Sequence, residues 1–460
     1  MARTETETIA QIATPKGIGG IGIIRISGPK AESILYKIYK PAKREHFEHR
    51  KLTYGHIFNP ETGEIIDEVM AVFMKAPHTY TTEDVAEIDC HGGTISLKKI
   101  LSIVFKIGAR PARNGEFTKR AFLGGRIDLS QAEAVAELIE AQTDRGFDLA
   151  LKKLAGAYSE KINLLREKLT EILVQITVNI DYPDEDIEEI VYANLKNAID
   201  GIRSDVARLV NAAGTGKILK NGINVAIIGK PNVGKSSLMN NLLRESRSIV
   251  TEIPGTTRDT IEEKINIDGV PVTIIDTAGI HDTSDTVEKI GIERSKDSCR
   301  KADIVIIMAE ACKKSLDDSI LADIPRDRKK CLFVFNKVDL GREISQTEAE
   351  QLAGGGHILF TSMKKAEDIE AIEEKLADIL EAITGTVNED EITLSEVTLK
   401  NLKQADSFLK DSMEAIEQKL PLEFIETDIS SAYESLGFII GDSVRDDVID
   451  EVFSRFCLGK

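Results

Sequence analysis

Eight residues constrain this chain more than any others: Gly229-Lys230-Pro231-Asn232-Val233-Gly234-Lys235-Ser236 spells G-x-x-x-x-G-K-S. A buried-strand pattern, Asn224-Val225-Ala226-Ile227-Ile228, runs into it. A helical pattern with Leu238 and Leu242 on one face leaves it. Glycines in such a loop let successive backbone N–H groups converge on phosphate oxygens, and the helix N-terminus reinforces them. Lys235 is then placed to reach the β- and γ-phosphates, and the Ser236 hydroxyl to ligate Mg²⁺. The same short signature also fits a glycine-rich turn without a ligand, so further signals have to decide.

Two follow in the expected order. Val270-Pro-Val-Thr-Ile-Ile-Asp276-Thr277-Ala278-Gly279 reads as a β-branched strand ending in a carboxylate, which suits holding Mg²⁺ through its waters. The Gly279 N–H is placed to meet the γ-phosphate. Cys331-Leu-Phe-Val-Phe reads as another buried strand, delivering Asn336-Lys337-Val338-Asp339. The Asp339 carboxylate only accepts, so it suits the N1–H and 2-amino donors of guanine. Adenine would leave it unpaired. Asn336 is expected on the other edge of the base or bracing the loop, and the Lys337 stem over its face. The motifs place Asn232, Val233, Gly234, Lys235, Ser236, Ser237, Asp276, Thr277, Ala278, Gly279, Asn336, Lys337 and Asp339 in the nucleotide set, and Thr257 joins them from the segment preceding the second motif.

Ile280 stands where Ras-like proteins carry the Gln that orients water, so water has to be positioned otherwise. Pro254-Gly255-Thr256-Thr257-Arg258-Asp259 reads as the segment that senses the γ-phosphate, with Thr257 the second Mg²⁺ ligand. Arg258 is open to two readings, an arginine finger in cis or an ion pair with Asp259 or nearby acids.

These motifs, with Val287-Glu288-Lys-Ile-Gly-Ile-Glu-Arg294, the opening Ile12-Ala-Thr-Pro-Lys-Gly-Ile-Gly-Gly-Ile-Gly-Ile-Ile-Arg25-Ile-Ser-Gly28 and the terminal Cys457-Leu-Gly-Lys460, resemble the MnmE (TrmE) family of tRNA-modification GTPases. The two ends separate the chain from Era-type and EngA-type relatives. The resemblance adds Thr251, Thr256 and Ser362 to the nucleotide set, and implies a potassium ion held by Asn232, Thr251, Ile253 and Thr256, with Glu288 as the residue that orients water. With Lys235 and Thr257, Glu288 makes the expected catalytic set. It further implies a tetrahydrofolate derivative, 5,10-methylene or 5-formyl, bound by Arg25, Glu87, Arg126 and Lys460. Cys457 becomes a candidate for one-carbon chemistry. Implied partners are a second copy of the chain (a homodimer), the flavoprotein MnmG, which carries the FAD, and tRNA contacted mainly through the complex. The guanine-loop Ser362-Met363-Lys364 departs from the family's Ser-Ala-Lys by a Met.

The resemblance and the periodicity together imply a multidomain α/β and α chain. Residues 1–120 form an N-terminal α/β folate-binding and dimerisation domain. A helical domain follows over 121–221 and resumes over 384–460. A Ras-like P-loop GTPase domain over 222–383 is inserted between its two parts. Gly17-Ile-Gly-Gly-Ile-Gly22 matches G-x-G-x-x-G, but a strand pattern follows it instead of a helix, so a glycine-rich turn is expected. Residues 147–180 read as one long amphipathic run, and Gly214-Thr-Gly-Lys217 as a linker. A net charge of −18 argues against a broad RNA-binding surface. Five scattered cysteines give neither a zinc nor a disulfide pattern, and no apolar run reaches membrane length, which fits the cytoplasm. Two other readings stay open: a ribosome-assembly GTPase switch without one-carbon chemistry, and a folate enzyme with a regulatory nucleotide domain.

Overall fold

The structure, a computed structural model, describes residues 7–15, 17–42, 49–181, 188–245, 262–276, 300, 302–313, 327–384, 393–442, 444, 446–454, 456 and 459. It divides into two compact units, one of residues 1–136, 153–189 and 411–460, the other of residues 137–152 and 190–410.

In the first unit the strands are β1 (Ile9–Ile12), β2 (Ile21–Ser27), β3 (Tyr39–Pro41), β4 (Thr53–Phe58), β5 (Ile65–Met74), β6 (Val85–His91) and β7 (Arg110–Pro111). They form one sheet in the order β3-β4-β5-β6-β2-β1-β7. Residues 13–20 connect the antiparallel pair β1–β2, so the glycine-rich segment joins two strands as expected. Alternation decides which side chains enter the core. Ile24 and Ile26 of β2 and Ala86 and Ile88 of β6 pack with Ile34 and Leu35 of α1 (Ala31–Ile38) and Ile100 and Val104 of α2 (Thr94–Ile107). The residues between them, Arg25 and Glu87, therefore share the opposite face as register partners.

Helices α3 (Glu116–Leu123) and α4 (Leu129–Glu140) follow. The 147–180 run is not one helix. It divides into α5 (Asp144–Leu154) and α6 (Ala157–Asp181) around Gly156. Periodicity continues across such a break, which is why pattern alone joined the two. Pro183 and the acidic residues Asp184, Glu185 and Asp186 that follow it lie outside the described residues. Helix α7 (Glu188–Asn221) runs on through Gly214–Lys217, so the expected linker is helical. Two glycines cost a helix only about 2 kcal/mol together. The burial of Leu209 and Leu219 on either side of them offsets that cost.

The second unit holds β8 (Ile223–Gly229), β9 (Glu262–Ile267), β10 (Val270–Asp276), β11 (Ile304–Glu310), β12 (Cys331–Asn336) and β13 (His357–Phe360). Their order is β13-β12-β11-β8-β10-β9, parallel except for the β9–β10 hairpin. Strands covered on both faces read as continuous apolar runs, and Cys331 to Asn336 are all buried. Leu238 and Leu242 of α8 (Lys235–Glu245) and Leu376 of α10 (Ala366–Thr384) cover one face. Ala349 and Ala353 of α9 (Gln346–Ala353) cover the other. Helices α11 (Glu396–Glu417), α12 (Leu422–Ile440) and α13 (Asp446–Ser454) complete the described chain. Among the described residues no helix is long and apolar enough to cross a membrane.

One ionic cluster ties the first unit together. Arg110 grips Glu116 through both carboxylate oxygens, at 2.6 and 2.8 Å, and Arg120 reaches it at 3.0 Å. The Arg113 N–H donates to it as well, at 2.8 Å. Arg120 also donates to Glu83 and to the Glu7 carbonyl. Burial alone would raise the Glu116 carboxyl, but the Arg110 hydrogen bonds, the Arg113 amide and Arg120 outweigh it and bring it from 4.5 to about 2. A depressed carboxyl stabilises the fold fully above its unfolded value, and that contribution is lost as pH falls from about 4.5 through about 2. Glu116→Gln is therefore expected to lower stability in urea unfolding at pH 7 by about 2 kcal/mol, with the difference from the parent vanishing at the acid end of that window. An equal loss at both pH values would show that Glu116 does not act through its charge.

Candidate functional site

The phosphate loop leaves the carboxyl end of β8, where β10 lies to one side and β11 to the other. The chain continues from β8 to the β10 side and later crosses to the β11 side, which makes this the crevice where open α/β sheets take ligands. Asn232 stands exposed at the loop tip with φ +65°. Lys235 opens α8 and folds back to donate to the Gly229 and Lys230 carbonyls at 2.6 and 2.9 Å. Ser236 and Ser237 occupy the first turn of the same helix.

The guanine-reading motif is tied directly to this loop. Asn336, almost fully buried at the end of β12, donates from Nδ2 to the Val233 carbonyl at 2.7 Å. Its Oδ1 accepts from the Met363 N–H at 3.1 Å. A Cβ at Gly234 (φ +112°) would lie 2.3 Å from Asn336 Nδ2, so the second loop glycine is what admits the asparagine. Of the two expectations for Asn336, the structure shows the brace.

Asp339 accepts from Ser362 Oγ at 2.9 Å and from Lys364 Nζ at 2.7 Å. Lys364 foremost, and then Ser362, hold its carboxyl below the ordinary aspartate range, so it is an acceptor at neutral pH. Ser362 in turn donates its N–H to Asp368 in the first turn of α10 at 2.7 Å. Met363 makes its polar contacts through its backbone, its carbonyl accepting from Asn241 at 3.2 Å, while its side chain packs against the core. The larger side chain thus leaves the loop's polar contacts intact. Lys337 takes a left-handed backbone, and its ammonium pairs with Glu310 at the end of β11. Lys313 binds the same carboxylate, and the two lysines, Lys313 first, lower its pKa.

Sequence reasoning did not find Glu310, Asp368 or Asn241. No motif contains them, and Glu310 becomes visible only through its register opposite Asn336. The backbone of Asp276 ends β10 level with Ile227 of β8. Thr251, Ile253, Thr256, Thr257, Thr277, Ala278, Gly279 and Glu288 lie outside the described residues.

A second cluster occupies the open face of the first sheet. Arg25 Nε donates to Glu87 Oε1 at 2.6 Å. The Arg25 guanidinium lies 5.5 Å from the centre of the Tyr80 ring and 5.7 Å from that of Phe117. Arg126 covers the same Tyr80 ring at 4.6 Å. The Tyr80 hydroxyl is fixed to Thr118 Oγ1 at 2.9 Å. Three of the four residues expected to hold a carboxylated pterin therefore converge, and Tyr80, which sequence did not single out, joins them. Asp89 sits two residues along β6 from Glu87, its carboxyl raised by burial and then by the Glu87 charge. The fourth residue, Lys460, and also Cys457 lie outside the described residues. Between them Gly459 is buried, and a Cβ there would meet the Ile12 carbonyl at 2.3 Å, so this part of the tail lies at the end of β1.

A mostly parallel sheet with a phosphate loop at its switch point, braced by an Asn-Lys-x-Asp strand end, defines a P-loop GTPase. Residues 8–126 match the family described as GTP-binding protein TrmE N-terminus, and residues 129–457 match the MnmE helical domain. The tRNA modification GTPase MnmE of Alkaliphilus oremlandii is 46% identical over 458 residues, 99% of each chain. That of Clostridioides difficile is 45% identical over 463 residues, again 99% of each. That of Bacillus subtilis is 41% identical over 460 residues, 99% of this chain and 100% of its own. Among solved structures, the G domain of the T. maritima FeoB iron transporter is 25% identical over 34% of this chain and 98% of that one, with a TM-score of 0.25. The chain belongs to the MnmE family of tRNA modification GTPases.

Proposed function

We propose that this chain is a potassium-activated GTPase whose turnover serves the addition of a carboxymethylaminomethyl or aminomethyl group to C5 of the tRNA wobble uridine. The carbon comes from a tetrahydrofolate derivative, and the flavoprotein MnmG supplies the FAD. The chain works in the cytoplasm as a homodimer joined to MnmG, and tRNA is contacted mainly through that complex. One observation supports this reading above the rest: a chain matched to its family over 99% of its length holds both a nucleotide crevice and a separate Arg25–Glu87–Tyr80–Arg126 cluster.

In the crevice, Lys235 and the loop N–H groups hold the triphosphate, and Asp339 selects guanine. Ser236 is a Mg²⁺ ligand together with Thr257. Asn232, with Thr251, Ile253 and Thr256, holds potassium, which supplies positive charge to the phosphates. The exposed neutral oxygen of Asn232 suits a large monovalent ion that takes dipoles instead of carboxylates. Glu288 orients the attacking water. In the second cluster, Glu87 accepts from the pterin's amino donors and the arginines meet the carboxylated tail. An aromatic ring already covered by guanidinium groups fits a flat heterocycle with charged ends.

GTP turnover by the full chain is expected to be at least about tenfold faster in K⁺ than in Na⁺, a difference of about 1.4 kcal/mol in the barrier. Equal rates would remove the ion from the mechanism. Mass analysis of tRNA nucleosides is expected to show loss of the wobble substituent in a deletion strain and in one carrying Arg25→Ala. Retention of the substituent in the deletion strain would overturn the assignment.

A further inference from the structure

We propose that Glu310 is a positioning residue for the nucleotide base, acting through Lys337. It fixes the lysine ammonium so that the aliphatic stem is held as a platform across the purine face.

The backbone sets Glu310 in place. It ends β11 directly opposite Asn336, and the Ala311 N–H donates to the Asn336 carbonyl at 2.7 Å. Its carboxylate is thereby delivered beside the guanine motif, with its side chain 11% exposed. Lys337 is held from both ends. Its backbone stands in the left-handed region at φ +68°, and its ammonium is on Glu310. Asn336 is consumed by the Val233 and Met363 hydrogen bonds, and Asp339 by Ser362 and Lys364, so neither orients the lysine.

A free lysine stem samples many rotamers and gives little to a flat ligand. Pinning the ammonium removes that freedom before the base arrives. A contact with the face of a purine does not read the exocyclic amine. The role of Glu310 is therefore separable from that of Asp339, which does. Lys313 binds the same carboxylate but is 70% exposed and lies outside the motif. It serves as the control.

The test is release of fluorescently labelled GDP from the full chain by stopped flow, with competition by unlabelled GDP and inosine diphosphate. Glu310→Ala is expected to speed release about fivefold, as for a partly buried ion pair. Glu310→Gln, which keeps a hydrogen-bond acceptor, should fall between. Lys313→Ala should stay within about twofold of the parent. Combined with Lys337→Ala, Glu310→Ala should add nothing. Affinities for GDP and inosine diphosphate should fall by the same factor, whereas Asp339→Asn should change their ratio.

The proposal fails if Glu310→Ala leaves release unchanged, if its effect persists in full on the Lys337→Ala background, or if it weakens GDP alone. Melting curves verify that each variant folds. If Glu310→Ala does not, Glu310→Gln carries the same comparisons.

Discussion

A buried hydrogen bond from Asn336 Nδ2 to the Val233 carbonyl joins the part of this protein that grips phosphate to the part that reads a base. The two motifs lie about a hundred residues apart in the chain. The parallel sheet brings them within reach, because β11 pairs with both β8 and β12 and so puts their carboxyl ends side by side. A buried amide aimed at a buried carbonyl holds the loop closed at little entropic cost, since the strand has already fixed the asparagine. Gly234 completes the arrangement by leaving out the one carbon that would exclude it. Phosphate grip and base recognition are thereby tied to each other directly.

The first unit solves a comparable problem with charge. Arg25 and Glu87 are cross-strand partners on a face that α1 and α2 do not cover. Each neutralises the other while both stay polar. The Tyr80 ring carries a guanidinium at 5.5 Å and another at 4.6 Å, and its own hydroxyl is tied to Thr118. Two arginines thus flank a fixed aromatic ring, one of them paired with Glu87, and Asp89 lies two residues further along β6. The neighbouring Arg110–Glu116–Arg120 cluster anchors α3, which carries Phe117 and Thr118 to this ring.

Much of the nucleotide site was legible because its chemistry is sequential. The strand–loop–helix order around Gly229 and the strand before Asn336 are local patterns, and they became β8, α8 and β12 where expected. What pattern missed came from packing and register. Gly214 and Gly216 read as a linker, but α7 continues through them, whereas the run over 147–180 is divided into α5 and α6 around Gly156. Glu310 and Tyr80 carry no local signature at all. One is meaningful only as the neighbour of Asn336 across two strands, the other only as the ring between two distant arginines.

The most direct test of the Asn336 brace needs no nucleotide. Hydrogen–deuterium exchange on the nucleotide-free full chain, parent against Asn336→Ala, reads the stability of residues 229–240 locally. The account predicts exchange faster by about tenfold or more across that segment, with protection in β2 and β6 of the first unit unchanged. Equal protection of the phosphate loop in both proteins would contradict it.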